Sequence, residues 1–394
     1  MFKLSDTLKL GVIGCGLRCA KDLLPTILKF GLGVEIAAVC DLDAEGAKTR
    51  LHTYGVEISQ TRFYADADIM LDKEKLDGVI VATRCSLHAS MAMKVMERRI
   101  PLFLEKPVAT NMEDLAALRR ANDHSTVPVA VSLPLRVTHL AKLAKELIDT
   151  GAIGQVEHVQ AYNNVTYGDA YYHCWYRDEE ETQGLFIQKA VHDFDYINHL
   201  LGRTPRMVAA MKSKRVFTGD HPAGLRCADC AERETCPQGP FVAKFLRGQP
   251  VYEEAKCCFA VDTGNEDSSS ALVLYDTGMH TAYSQNFFCR NAAGKRGARF
   301  FGYKGTLEFD WYTNVLTVYD HNTDRVTTHR FSSQTEGHGG GDASLMLNFI
   351  RVMQGREEPC APLAEALEAN LLCLKARQSS ETLHFEPVSY DPSL

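Results

Sequence analysis

No apolar run in the 394 residues approaches the roughly 20 that a membrane-spanning helix requires, so no membrane partner is expected. Basic excess is also missing. Forty-three Lys and Arg stand against 50 Asp and Glu, for a formal net charge of -7, and counterion release from nucleic acid has no footprint to act through. The first ten residues pass straight into Leu8-Lys9-Leu10-Gly11-Val12-Ile13. They lack the basic, apolar and small-residue sections of a secretory signal, which sets the expectation of a cytoplasmic chain. Internal repeats and low-complexity linkers are absent. The 13 cysteines are an odd number; without an export signal they read as reduced thiols, small buried side chains or metal ligands rather than a disulfide framework. What is present, 45% hydrophobic and 24% charged residues over this length, suits two domains with ordinary cores.

From Leu8 to about Ser132, runs rich in Val, Ile and Leu alternate with helical patterns. The runs Lys9–Ile13, Val34–Cys40, Gly78–Ala82, Leu102–Leu104 and Pro128–Val131 lack polar alternation, as strands buried on both faces should. Helices are expected over Arg18–Phe30, Ala44–Tyr54, Ser86–Arg99 and Met112–Asn122. This grammar predicts an α/β unit, residues 1–132, built on a doubly wound parallel sheet.

After a helix over Arg136–Thr150 the pattern becomes period two, in Val156–Thr166, Met207–Val216, Ser269–Tyr275, Gly278–Phe288, Ala298–Phe301, Thr306–Trp311 and Val315–Tyr319. Turn pairs such as Thr277-Gly278 and Lys304-Gly305 favour antiparallel neighbours. Residues 133–394 therefore read as an α+β domain with a large, open, mostly antiparallel sheet. Its expected helices are Gly184–Leu201, Asp342–Met353 and Leu363–Arg377.

Gly14-Cys15-Gly16-Leu17-Arg18 follows the first strand and opens a helix. Gly14 would permit the tight turn, and Gly16 would let backbone amides approach a pyrophosphate at the helix N-terminus, where the dipole favours anions. The third glycine of that fingerprint is Cys19. The second strand ends at Asp41, spaced to accept hydrogen bonds from an adenosine ribose. Its charge opposes a 2'-phosphate, which favours NAD over NADP, although Arg50 on the next helix offers a countercharge. Glu105-Lys106-Pro107 places a lysine at the carboxyl edge of the sheet, beside the ligand crevice.

Strand, Glu105-Lys106-Pro107, then helix, together with Gly14-x-Gly16 and Thr83-Arg84-Cys85-Ser86-Leu87-His88, resembles the Gfo/Idh/MocA oxidoreductases. The resemblance continues through 147–156, Trp175-Tyr176-Arg177, His192-Asp193-Phe194-Asp195 and 302–308, and covers nearly all of the chain except about 214–260. It implies a Rossmann domain holding NAD, with Thr83, Arg84, His88 and Glu105 near the cofactor. It also implies a sheet whose outer face makes a homo-oligomer, a lysine near the reacting carbinol at Lys106, and an active-site histidine at His192. Two departures matter. Gln188 stands where the family commonly has Asp and cannot take a proton, which leaves Lys106, His192 or Lys189 to do so; Arg84-Cys85 replaces the usual Pro-Asn.

Independently of the family, Gln188, His192, Asp195 and His199 fall at i, i+4, i+7 and i+11, one polar stripe on the expected helix Gly184–Leu201. Asp195 is placed to orient His192. Tyr162, Asn163, Asn164, Tyr167, Trp175 and Arg177 are candidate substrate contacts. So is His338, in Gly337-His338-Gly339-Gly340-Gly341-Asp342, with Asp342 a plausible N-cap.

The segment outside the resemblance carries Cys227-x2-Cys230-x5-Cys236 and then Cys257-Cys258. Cys227, Cys230, Cys236 and Cys257 could supply four thiolates to one structural Zn(II); Cys258 would face the other way on an extended segment.

The reading reached is an NAD-dependent oxidoreductase acting on a secondary hydroxyl of a sugar, glycoside or cyclitol. Two alternatives stand beside it: glycoside cleavage through transient oxidation by tightly held NAD, and a non-catalytic dinucleotide-binding protein.

Overall fold

The computed structural model describes residues 7–239, 255–332 and 336–391. The apolar runs of the first part become β1 (Leu8–Ile13), β2 (Val34–Cys40), β3 (Arg62–Tyr64), β4 (Gly78–Val81), β5 (Leu102–Leu104) and β6 (Val129–Val131). All neighbours pair in parallel in the order β3-β2-β1-β4-β5-β6, so the order reverses between β1 and β4. That reversal leaves a crevice at the carboxyl ends of these two strands. Side-chain caps start the crossover helices. Asp43 accepts from Gly46 N at 2.9 Å, Asp66 from Ile69 N at 2.9 Å and Asn111 from Asp114 N at 2.8 Å, each satisfying an otherwise orphaned amide.

Two elements here differ from expectation. β3 and the helix Ala67–Lys73 are too short and too polar to carry a periodic signal. The first helix starts with a π turn over Arg18–Leu23 before becoming α over Leu24–Lys29; Pro25 has no N–H to offer the carbonyl four residues back, and the winding widens ahead of it.

The second sheet holds nine strands: β7 (Val156–Asn164), β8 (Pro205–Ser213), β9 (Ser268–Tyr275), β10 (His280–Asn286), β11 (Lys295–Gly302), β12 (Gly305–Asp310), β13 (Val315–Asp320), β14 (Val326–Arg330) and β15 (Glu386–Pro387). Their order is β14-β13-β12-β11-β7-β10-β9-β8-β15, with β7 and β10 parallel and the other neighbours antiparallel. Period two gives one buried face, as on β7, where Val159, Ala161 and Asn163 point inward. The helices Val191–Leu201 and Leu363–Thr382 cover that face. Phe194 meets Tyr283 at 5.0 Å between ring centroids, and Tyr196 meets Trp311 at 4.8 Å. One continuous hydrophobic core runs from the parallel sheet through the nine-stranded one.

The expected helix Gly184–Leu201 is two pieces, Leu185–Gln188 and Val191–Leu201. The buried Glu266 carboxylate accepts from the Leu185 and Phe186 amides at 2.9 and 3.0 Å and starts the first piece. Lys189 and Ala190 then both donate to the Leu185 carbonyl, at 3.0 and 3.1 Å, which breaks the regular ladder. Asp342 is likewise inside its helix, Gly341–Met353, whose N-cap position is Gly340 at φ +83°.

Residues 240–254 of the cysteine-rich segment lie outside the described residues. For the remainder, the structure does not support the expected zinc site. Among the described residues no group of three or more His, Cys, Asp or Glu side chains is arranged to hold a metal ion. Cys227 Sγ packs 3.6 Å from the Lys256 carbonyl and 3.9 Å from His173 Nδ1, and Cys257 is buried where its backbone meets Leu225. The segment is pinned another way, by a small separate core of Val165, Tyr171, Tyr172, Leu185, Phe217, Cys258 and Phe287, with Tyr172 stacked on Phe217 at 4.0 Å. Arg177 locks it, donating to the Cys257 carbonyl, Asp262 and Thr263 at 2.9, 2.6 and 2.8 Å.

Candidate active site

At the carboxyl end of β1, Gly14 has φ +84°, and a Cβ there would sit 2.7 Å from Thr83 backbone atoms. Only glycine lets these two loops approach so closely. Gly16 has open space where its Cβ would be, and the helix that follows has no side-chain cap, so the backbone at Gly16 and Leu17 is left for an anion. Asp41 braces the loop, accepting from Cys15 N at 2.7 Å and Asp43 N at 2.8 Å; each oxygen keeps a lone pair for a hydroxyl. Arg50 is engaged by the Cys15 carbonyl at 2.9 Å and by Asp43 at 3.4 Å. These residues fit a dinucleotide with a free ribose 2'-hydroxyl.

Three expected cofactor contacts are engaged elsewhere. Arg18 donates to Glu105 at 2.9 Å, to Asp342 at 2.6 and 3.1 Å and to Ser132 at 3.3 Å, binding the crevice to the helix Gly341–Met353. The ring nitrogens of His88 lie 2.7 and 3.2 Å from the Pro107 and Thr83 carbonyls, so this buried imidazole joins the two loops that flank the crevice. Arg84 stacks over Trp175 at 4.0 Å, which pairs an expected cofactor residue with an expected substrate residue. Burial works against ionised Glu105, yet the charges of Arg18 and Lys106 outweigh it and hold the carboxyl below its usual range.

Lys106 follows β5, and its Nζ donates to the Gln188 carbonyl at 2.8 Å. Burial first, and then the charge of Lys189, bring its pKa down to about 8. His192 is buried, and its Nδ1 has no partner in the structure. Burial, with Lys106 and Arg296 adding to it, pushes its pKa well below the ordinary value, so the ring is neutral. The His338 ring lies 5.7 Å from it, with Nδ1 2.9 Å from Asp342. Gln188 Oε1 is also buried without a partner. Lys189 donates to the Tyr167 hydroxyl at 2.6 Å; burial, then the charge of Arg296, lowers its pKa to about 7.

The structure thus brings Lys106, Gln188, Lys189, His192 and His338 into one neighbourhood. It does not bring Asp195 there. Both of its oxygens are held by the buried Arg136, at 2.9 Å for Nε, and His199 faces Glu365 at 3.6 Å. The polar stripe therefore splits, one turn serving the site and the next a buried ion pair. Arg177 is turned to Cys257, Asp262 and Thr263 at the end of the cysteine-rich segment. Tyr162 lies on the outer face of β7, with Lys295 4.5 Å above its ring and Glu308 3.4 Å from its hydroxyl.

The residue that sequence reasoning passed over is Asp193. Fully buried, it accepts from Asn163 at 2.8 Å, Tyr283 at 2.9 Å and Arg296 at 2.8 Å. The only sequence signal for this network was Asn163, a polar residue at an inward strand position; its other members lie 90 and more residues away.

A family model described as "Oxidoreductase family, NAD-binding Rossmann fold" matches residues 8–133, and its companion, "Oxidoreductase family, C-terminal alpha/beta domain", matches residues 145–389. The chain is 25% identical over 382 residues to "Putative oxidoreductase YteT" of Bacillus subtilis, covering 85% of this chain and 87% of that one. It is 26% identical over 205 residues to the inositol 2-dehydrogenase of Salmonella typhimurium, covering 51% of this chain and 57% of the relative. In fold it is similar to levoglucosan dehydrogenase in complex with NADH and levoglucosan, with a TM-score of 0.77 at 16% identity over 97% of this chain and 99% of that one. Domain matches spanning both sheets, and a glycine turn and strand-edge lysine where a dinucleotide would lie, lead to one conclusion: the chain belongs to the Gfo/Idh/MocA family of NAD-binding oxidoreductases.

Proposed function

We propose that this protein is a dehydrogenase that moves a hydride between NAD and a secondary carbinol carbon of a sugar, glycoside or cyclitol. The observation that carries the reading is Lys106, an amine held at the sheet edge by the Gln188 carbonyl, with its pKa brought to about 8. An amine of that basicity exchanges a proton with a hydroxyl near neutral pH. The dehydrogenases for inositol and levoglucosan among its relatives act on polyhydroxylated rings.

When bound, NAD supplies the hydride acceptor or donor at its nicotinamide ring. The backbone of Gly14, Cys15, Gly16 and Leu17 would hold its pyrophosphate, and Asp41 its ribose. Neutral Lys106 takes the hydroxyl proton as the carbinol is oxidised and returns it in the reverse direction. His192 offers its unpartnered Nδ1 to the same or a neighbouring hydroxyl, and Gln188 Oε1 accepts a hydrogen bond without taking a proton. His338 is positioned by Asp342, which is in turn fixed by Arg18. Trp175 and Arg84 form a stacked wall at the cofactor side. In this reading residues 1–132 hold the cofactor and 133–394 the substrate. The outer face of the nine-stranded sheet, where Met211, Leu272 and Leu274 are exposed, is the surface for self-association.

The test is NADH formation with a panel of inositols, pyranoses and anhydrosugars. Wild-type protein should reduce NAD with at least one, and Lys106→Met should lower turnover by about 100- to 10,000-fold while NAD affinity stays within a few-fold. Retained turnover in the variant would remove Lys106 from the reaction. Sugar release from a glycoside without net NADH would assign the transient-oxidation chemistry instead.

A further inference from the structure

Two lysines reach the site, and their surroundings differ. Lys106 adjoins Glu105, which belongs to the cluster of Arg18 and Asp342. Lys189 is 3% exposed and has no carboxylate within salt-bridge distance among the described residues. Its Nζ meets the Tyr167 hydroxyl at 2.6 Å and lies 4.8 and 5.5 Å from the centres of the Tyr167 and Tyr171 rings. Those ring faces favour a cation but carry no countercharge. Arg296, inward on β11, spends Nε on Asp193, and its buried Nη2 has no partner.

Around the site Arg18 is paired with Glu105, Asp342 and, at 3.6 Å, Asp22, and Arg296 is paired with Asp193. Among the described residues Lys189 has only the neutral Tyr167 hydroxyl and ring faces against its amino group. Removing a cation from water without a countercharge is costly, and a neutral polyol would leave that cost in place. A ligand bringing one negative charge would remove it and would also satisfy Arg296 Nη2. Tyr167 is 43% exposed, so solvent reaches the side chain that Lys189 lies behind. Lys189 also directly follows Gln188, whose carbonyl holds Lys106.

We propose that the hydroxyl-bearing substrate is a sugar acid or cyclitol acid, whose carboxylate is bound by Lys189 Nζ and Arg296 Nη2 while the reacting hydroxyl faces Lys106. This rests on the dehydrogenase reading for the role of Lys106, but the carboxylate site is tested by binding alone. NAD-loaded protein is titrated calorimetrically at pH about 6.5, where Lys189 is charged, with D-glucuronate, D-galacturonate and D-gluconate. The neutral twins D-glucose, D-galactose and D-glucitol are titrated in parallel.

At least one acid should bind about tenfold or more tightly than its twin, as a charge-assisted contact implies. Lys189→Met should erase that difference, and Lys189→Arg should keep most of it. Acids that bind no tighter than their twins, undetectable binding included, overturn the proposal, as does a difference that survives in Lys189→Met. The wild-type comparison needs no variant to fold. A protein that prefers the acids yet never forms NADH overturns the dehydrogenase reading and leaves the carboxylate site standing; one that oxidises neutral sugars as well as acids does the reverse.

Discussion

The cofactor end and the substrate end of the crevice are built on different principles. The cofactor end is made of backbone and of neighbours in sequence: a turn at Gly14, open space at Gly16 and a brace from Asp41 after the adjacent strand. The substrate end is made of side chains from distant elements. Asn163 on β7, Asp193 at the start of a helix, Tyr283 on β10 and Arg296 on β11 form one buried network, and Lys106 reaches over from the other sheet. Recognition of a diphosphate needs amides and a helix end, which the backbone supplies. Recognition of one hydroxylated ring needs particular side chains, each held by a second one.

If this division is right, damage at one end should spare the other. The largest effect is expected from Asp193→Ala, which strands Arg296 in the interior. Breaking such a buried pair costs about 3–5 kcal/mol, to be read by urea unfolding, while NAD affinity per folded molecule stays within a few-fold. A loss of NAD affinity equal to the loss of stability would break the comparison.

Gly14→Ala should cost less stability, about 1–3 kcal/mol for a strained positive φ and a Cβ against Thr83. Unlike Asp193→Ala, it should remove most NAD binding, which fluorescence titration will show. Asp41→Ala is expected to weaken NAD by about tenfold and relax selectivity against NADP; an unchanged NAD-to-NADP ratio would take the ribose away from Asp41.

The smallest effect sharpens the boundary where the two ends meet. In the proposed reaction neutral Lys106 accepts the proton in oxidation and protonated Lys106 donates it in reduction. The kcat/KM for oxidation should therefore rise as pH passes about 8, and that for reduction should fall. Coincident profiles in the two directions would assign the proton to another group.

The same division explains what the sequence disclosed. The parallel sheet, the glycine turn and Lys106 were legible because their signals are contiguous or periodic. The antiparallel character of the second sheet was legible from period two and its turn pairs. The network around Asp193 was not, since no local pattern links residues on β7, β10 and β11. Asp195 misled because helical spacing gives the face of a residue but not its partner, and Arg136 lies on that face. Arg177 and Arg18 misled in the same way, each an arginine in a promising motif whose terminal nitrogens bond to other parts of the fold. The cysteine spacing suggested metal where burial of Phe217 and Cys258 does the pinning.

The last long helix, Leu363–Thr382, lies on β8 and also against Met112–Asp123. Asn370, on that helix, accepts the Val108 amide at 3.1 Å and donates to the Ala109 carbonyl at 3.0 Å. The turn that carries Lys106 is therefore fastened by a residue some 260 positions later. During synthesis the parallel sheet can close long before that asparagine emerges, since its own contacts are local by comparison. The turn that carries Lys106 acquires its last hydrogen bonds near the end of translation, and a chain stopped short of residue 370 would carry a formed parallel sheet with an unfinished lysine loop.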